Sequence, residues 1–90
     1  MAQRPWKKYL TENEYSSLTY PGKVLAEYWA EFLPKMTAEL KASGDLFRIL
    51  DAEGDRLADL EMDLIRESGL EENQAWEVVM EQIYSLPPEE

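Results

Sequence analysis

The sequence predicts an all-α protein: a small antiparallel bundle of three to four helices, preceded by a basic-aromatic arm. Three observations predict it. Apolar residues recur at spacings of three and four over most of the chain, as on one face of an α-helix. Ser43-Gly44 and Ser68-Gly69 stand where two such runs end, which is helix-stop chemistry. No hairpin signal competes, because there is no Asn-Gly, no Asp-Gly and no alternating Val/Ile/Thr run.

The elements follow in order. Residues 1–10 form the arm, with Arg4, Trp6, Lys7, Lys8 and Tyr9. Next to an acidic body, this arm is expected to fold back onto the protein rather than hold a phosphate backbone. Thr11-Glu12-Asn13-Glu14 fits a capping box, in which the Thr11 oxygen accepts an amide hydrogen and Glu14 reaches back. A short helix to about Leu18 follows, and then a turn at Tyr20-Pro21-Gly22, with Pro21 suited to a helix start. From Lys23 the pattern Leu25, Tyr28, Trp29, Phe32, Met36 and Leu40 is helical. Pro34 lacks an amide hydrogen and clashes with the preceding turn. The pattern allows either a kink or a split there, with one helix to Leu33 and a continuation over 34–42.

Asp45 is placed to cap the third segment, Leu46 to Glu67. Its stripe is Leu46, Ile49, Leu50, Leu57, Leu60, Leu64 and Ile65. Two residues break that stripe. Glu53 falls where an apolar residue is due, and Gly54 costs about 1 kcal/mol against Ala in a helix interior. A last helix begins near Glu71 and Glu72, whose charges suit its first turn. It buries Trp76, Val79, Met80 and Ile83, and Pro87-Pro88 stops it, leaving 87–90 as a disordered tail. The whole of 1–90 is one domain.

Composition excludes several functions. A 90-residue chain buries roughly 60–65% of its unfolded surface, so stability is modest and a partner can add to it. At 44% hydrophobic and 11% aromatic, the chain is too apolar to be disordered throughout. There is no Cys for thiol or disulfide chemistry and no His for general-base work near neutral pH. No nucleophile–base pair, phosphate loop or metal cluster is visible, so the expectation is no enzyme, no catalytic residue, no metal and no cofactor. Asp51-Ala52-Glu53-Gly54-Asp55 superficially resembles a calcium loop, but Gly54 is at position four and Met62 stands where a bidentate Glu is required. No apolar run approaches a membrane span, and no signal core follows the basic N-terminus. A cytoplasmic protein is expected, and a pI near 4.4 argues against direct binding to nucleic acid or anionic lipid.

The charge is distributed unevenly. From Asp45 onward, 14 acids face three bases, net −11, whereas the first 44 residues carry six bases and five acids, net +1. Much of the excess lies on one face of the third helix: Asp51, Asp55, Asp59, Asp63 and Glu67 at i, i+4 spacing. Arg48, Arg56 and Arg66 are placed to relieve it in part. Two readings are open. One is a solvated helix face, which is what charge runs commonly are. The other is a contact face for a basic protein surface, extended by Glu71 and Glu72 and helped by Glu77 and Glu81. Carboxylates one turn apart repeat every ~6 Å, close to a phosphate spacing along nucleic acid, so the face suits a groove built for DNA or RNA. Among the aromatics, Tyr28 and Trp29 are adjacent and point 100° apart. One of them is therefore expected at a secondary interface, and Tyr28, Trp29 and Phe32 form the candidate dimer or partner contact.

Leu40-Lys41-Ala42-Ser43-Gly44-Asp45-Leu46, the ladder Leu50, Leu57, Leu60 and Leu64, then Gly69, and finally Ala75-Trp76 with Met80 and Ile83, together make a spacing that resembles the TnpV-type transposon-encoded proteins. These are small helical proteins of mobile elements in gut-type Firmicutes. The likeness covers about residues 25–84. It departs from the family in a shorter linker from Gly69 to Trp76, and in Met80-Glu81 where the family has Met-Asn. The resemblance implies a mobile-element context and assigns no chemistry to particular residues. In that context, small acidic proteins block host nucleases and repressors, anti-CRISPR proteins among them, although this chain matches no named anti-CRISPR family. The expectation is a non-catalytic binder of a basic, nucleic-acid-binding protein, such as a CRISPR effector nuclease. The alternative is a structural accessory protein of the element that acts as a homodimer.

Overall fold

The computed structural model describes residues 4–89. They form a 3-10 turn, Pro5–Lys8, and five α-helices: α1 Glu12–Ser17, α2 Tyr20–Phe32, α3 Pro34–Ser43, α4 Leu46–Arg66 and α5 Glu72–Ile83. No strand occurs among the described residues, and none of their helices is long and apolar enough to cross a membrane. The helix count exceeds the expected three to four because Pro34 splits its segment. Leu33, at φ −130° and ψ 52°, ends α2 and precedes α3. Buried Thr37 steadies the break: its hydroxyl lies 2.9 Å from the Trp29 carbonyl and 2.7 Å from that of Leu33.

Several local expectations hold atom by atom. The Thr11 amide donates to Glu14 Oε1 at 2.9 Å, and the Glu14 amide donates to Thr11 Oγ1 at 3.1 Å. Gly44, at φ 82°, takes the left-handed conformation that ends α3, and Gly69 does the same after α4 at φ 70°. α2 starts three residues earlier than expected. Thr19 is its cap, accepting from the Gly22 amide at 3.2 Å, and Pro21 lies in its first turn, where no N–H is missed. Asp45 precedes α4, but its side chain caps nothing there. Its carboxylate instead accepts from Arg48 and Ser43.

α2 and α4 share the most extensive interface, and α5 packs on both. Leu25 and Trp29 of α2, Leu50 and Leu57 of α4, and Val79 and Ile83 of α5 supply the centre of the core. Gly54, an apparent defect in α4, is what lets the helices approach. A Cβ built there would stand 2.8 Å from Gly22 Cα and 2.8 Å from Thr19 Oγ1. The described part of the arm, residues 4–10, belongs to the same core, and residues 1–3 lie outside the described residues. Trp6 is buried and stacks on Tyr15, with centroids 3.9 Å apart and planes 4° from parallel.

The C-terminal segment corrects the expectation of a disordered tail. Over 87–89 it is placed against the helices rather than hanging free, while residue 90 lies outside the described residues. The Glu89 amide donates to the Phe32 carbonyl at 2.8 Å. The Glu89 carboxylate accepts from the amides of Lys35 at 2.8 Å and Met36 at 3.0 Å, so it caps α3 from 53 and 54 residues away. Leu33 has no side-chain oxygen to do this, and first-turn N–H groups need an acceptor. The same segment covers one side of α2, where Tyr28 donates its hydroxyl to the Leu86 carbonyl at 2.6 Å.

Candidate functional site

The α4 helix is divided lengthwise. Leu46, Leu50, Gly54 and Leu57 are buried against the other helices. Asp55, Asp59, Asp63 and Glu67 are exposed on the other side, with Asp51 half-buried at the start of the column. The sixteen steps from Asp51 to Glu67, at 1.5 Å rise each, give the column a length of roughly 24 Å. Glu71 caps the start of α5, where Gln74 Oε1 accepts from its amide at 3.1 Å, and Glu72 is the first residue of that helix. Both are exposed and prolong the acidic surface past the turn at Gly69.

The arginines do not neutralise the column. Arg48 pairs with Asp45 at 3.2 Å. Arg56 forks onto Glu53, with Nε 3.2 Å from Oε1 and a terminal nitrogen 3.0 Å from Oε2. These partners lie outside the column, so two of the three bases expected to relieve it are engaged elsewhere. Among the described residues, Arg66 makes no ion pair, and neither do the five column acids, Glu71 or Glu72. The hydrogen bond from Arg48, helped by one from Ser43, holds the Asp45 carboxyl below the usual carboxylate range. The pairing also accounts for Glu53 in the stripe: its side chain stays partly exposed at the core edge, beside Leu25 and Trp29, where Arg56 reaches it.

The column also runs toward the disfavoured end of its helix. The first turn of α4 holds no acid, while Asp63 and Glu67 stand at its C-terminal end, where the free carbonyls already present negative charge. Neither ion pairing nor the helix dipole stabilises these acids in the folded protein. Nor do they gather around a point, since no group of three acids among the described residues could hold a metal ion. The arrangement is an extended line of unpaired negative charge on a rigid helix. Such a line can attract and align a basic surface.

The candidate aromatic contact fares differently. Tyr28 and Trp29 are both buried, so neither is free for a dimer or partner. Being 100° apart, they find two covers. Trp29 faces the α4–α5 side, beside Leu57 and Ile83, and Tyr28 lies under the C-terminal segment. Only Phe32 stays exposed, at 41%. In α5, Val79 and Ile83 are buried as expected, whereas Trp76 and Met80 are half-buried. Tyr20, read from the sequence as a turn residue, is 67% exposed and packs on Trp76.

No protein-family model, no curated protein and no solved structure matches the chain.

Proposed function

We propose that this protein is a non-catalytic binder of mobile-element or phage type that sets its α4 acid column onto a basic protein surface. In its most concrete form it mimics nucleic acid and inhibits a nucleic-acid-binding enzyme of the cytoplasm, such as a CRISPR effector nuclease. The observation that carries this reading is the unpaired column. Asp55, Asp59, Asp63 and Glu67 stand exposed over three turns of a rigid helix, while the nearby arginines pair with Asp45 and Glu53. Self-repulsion of that kind opposes folding, and a basic partner would relieve it. The TnpV-like spacing supplies the mobile-element context. The homodimer alternative loses support, because two of its three expected contact residues lie inside the protein.

A groove that holds DNA or RNA is lined by Lys and Arg. A carboxylate line with a repeat of ~6 Å meets such a lining as a strand of phosphates would. Charge complementarity of this kind raises the association rate and makes binding salt-sensitive. The test is affinity capture from a bacterial lysate with two baits, the wild type and the Asp55→Lys, Asp59→Lys, Asp63→Lys variant. Mimicry predicts a basic, nucleic-acid-binding protein on the first bait only, released by salt. The same proteins on both baits would sink it.

A further inference from the structure

A second surface lies between α2 and α5 and uses none of the column residues. Tyr20 packs on Trp76 with ring centroids 5.2 Å apart, and Tyr28 meets Tyr84 edge-on at 4.9 Å. Each pair is eight residues further along both helices, so α2 and α5 run in the same direction here. Val24 and Met80 lie midway between the two rungs, and Phe32 continues the line beyond Tyr28 at 5.1 Å. Tyr20, Phe32 and Tyr84 are exposed at 67%, 41% and 49%, so these three are open to solvent, while Trp76 is half-buried and Tyr28 is the buried link between Tyr84 and Phe32. From Tyr20 to Phe32 the ladder is roughly 18 Å long. Aromatic residues left uncovered in a connected line mark an interaction surface more often than isolated ones do.

The charges around it select the occupant. Glu27 and Glu31 border the depression formed by Val24, Phe32 and Tyr84. Glu77 and Glu81 border the one beside Met80, on the other flank of Tyr84. Neither depression has a lysine or arginine in its wall. Lys23, next to Val24, is directed over the Tyr15 ring, 5.8 Å from its centroid. A second copy of this chain would set four glutamates against four, and an anionic membrane would meet the same rim. An amphipathic helix of three to four turns has the right length, and its apolar residues at i, i+4 and i+8 match the rungs.

We propose that the α2–α5 groove binds a basic amphipathic helix of a partner protein, the exposed Tyr20, Phe32 and Tyr84 taking its apolar face and Glu27, Glu31, Glu77 and Glu81 its lysines or arginines. This surface acts whether or not the α4 column has a partner of its own.

The test uses the full chain and two synthetic helical peptides. Both carry Leu at the i, i+4 and i+8 positions, one with Lys on its flanks and one with Glu there. Binding is followed by Trp fluorescence, and the site is mapped by amide chemical shifts. The expected result is saturable binding of the Lys peptide alone, with shifts over α2 and α5. Reversing Glu27, Glu31, Glu77 and Glu81 to Lys should weaken it at least tenfold, and Tyr20→Ser several-fold, with unchanged circular dichroism. The Asp55→Lys, Asp59→Lys, Asp63→Lys variant should bind as the wild type does. Several results would overturn the assignment: no binding of the Lys peptide, equal binding of the Glu peptide, or shifts and losses that follow the α4 column. A concentration-dependent doubling of mass that blocks the peptide would give the groove to a second copy and equally overturn it.

Discussion

Gly54→Ala is the substitution on which the sequence and the structure predict opposite signs. Judged by helix propensity, replacing a glycine inside α4 by alanine stabilises by about 1 kcal/mol. The packing reverses this. The new Cβ would stand 2.8 Å from Gly22 Cα, and carbon atoms in contact want about 3.5–4.0 Å. A backbone atom cannot rotate away, so α2 and α4 must separate by several tenths of an ångström at their closest point. Overpacking of this kind costs typically 1–3 kcal/mol. The same Cβ would stand 2.8 Å from Thr19 Oγ1, which caps α2 through the Gly22 amide, and loss of a cap costs about 1 kcal/mol more. Set against the propensity gain, the net loss is about 2 kcal/mol. At roughly 4–8 °C per kcal/mol for a domain of this size, the midpoint should fall by about 8–16 °C. Thermal unfolding followed by circular dichroism at 222 nm measures it. A midpoint equal to or above the wild type would refute the close crossing of α2 and α4.

Other expectations concern the ends of the chain and one ion pair. Glu89→Ala removes the acceptor for the Lys35 and Met36 amides. It should cost about 1 kcal/mol in urea unfolding and speed hydrogen exchange at those two amides. Unchanged exchange there would mean that the carboxylate does not cap α3. Trp6→Ala should cost about 3–5 kcal/mol, as for a large buried aromatic. Trp6→Phe should cost much less, because the indole N–H makes no hydrogen bond among the described residues. Equal losses in denaturant titrations would contradict that ranking. Asp45 has its carboxyl pKa lowered on folding by Arg48 and then Ser43. Its contribution to stability is therefore present above the unfolded value of about 3.9 and is lost as pH falls through the lowered folded one. Arg48→Ala should move the Asp45 titration upward in a carbon-13 NMR series, and an unmoved curve would exclude the pairing.

Much of the helical pattern was legible in the sequence because it is local. A Thr11–Glu14 box, a Ser43-Gly44 stop and a leucine stripe need only residues within a turn or two. The first two are found where the residues put them, and the stripe joins the core from Leu46 to Leu60 but not at Leu64 and Ile65, which are only half-buried. The misreadings come from contacts distant in sequence. Gly54 looks like a helix defect until Gly22 is placed against it. Tyr28 looks like a spare aromatic until the segment around Leu86 covers it. Glu89 looks like tail until α3 is seen to have no cap of its own. The acid column was legible as a face from its i, i+4 spacing. Its lack of neutralisation was not, since which acid Arg48 and Arg56 choose depends on rotamers. The α2–α5 ladder was half legible: Trp76, Met80 and Tyr84 repeat every four residues, but starting α2 at Lys23 hid Tyr20. Which two helices lie side by side is a tertiary fact.

The helix that carries the column is anchored on its other side by buried leucines and the Gly54 crossing, so charge reversal on the solvent side can be made without touching the core. This separation lets stability and binding be measured independently. The most direct test of the central claim is an equilibrium competition between this protein and duplex DNA or RNA for the captured basic partner, repeated from low to high salt. Mimicry by the α4 column predicts mutual displacement. It also predicts an affinity that falls roughly tenfold or more between about 50 and 200 mM salt, and displacement that vanishes when Asp55, Asp59 and Asp63 are reversed to Lys. If the partner instead binds the protein and the nucleic acid together, with neither weakening the other, the column is not standing in for a phosphate backbone.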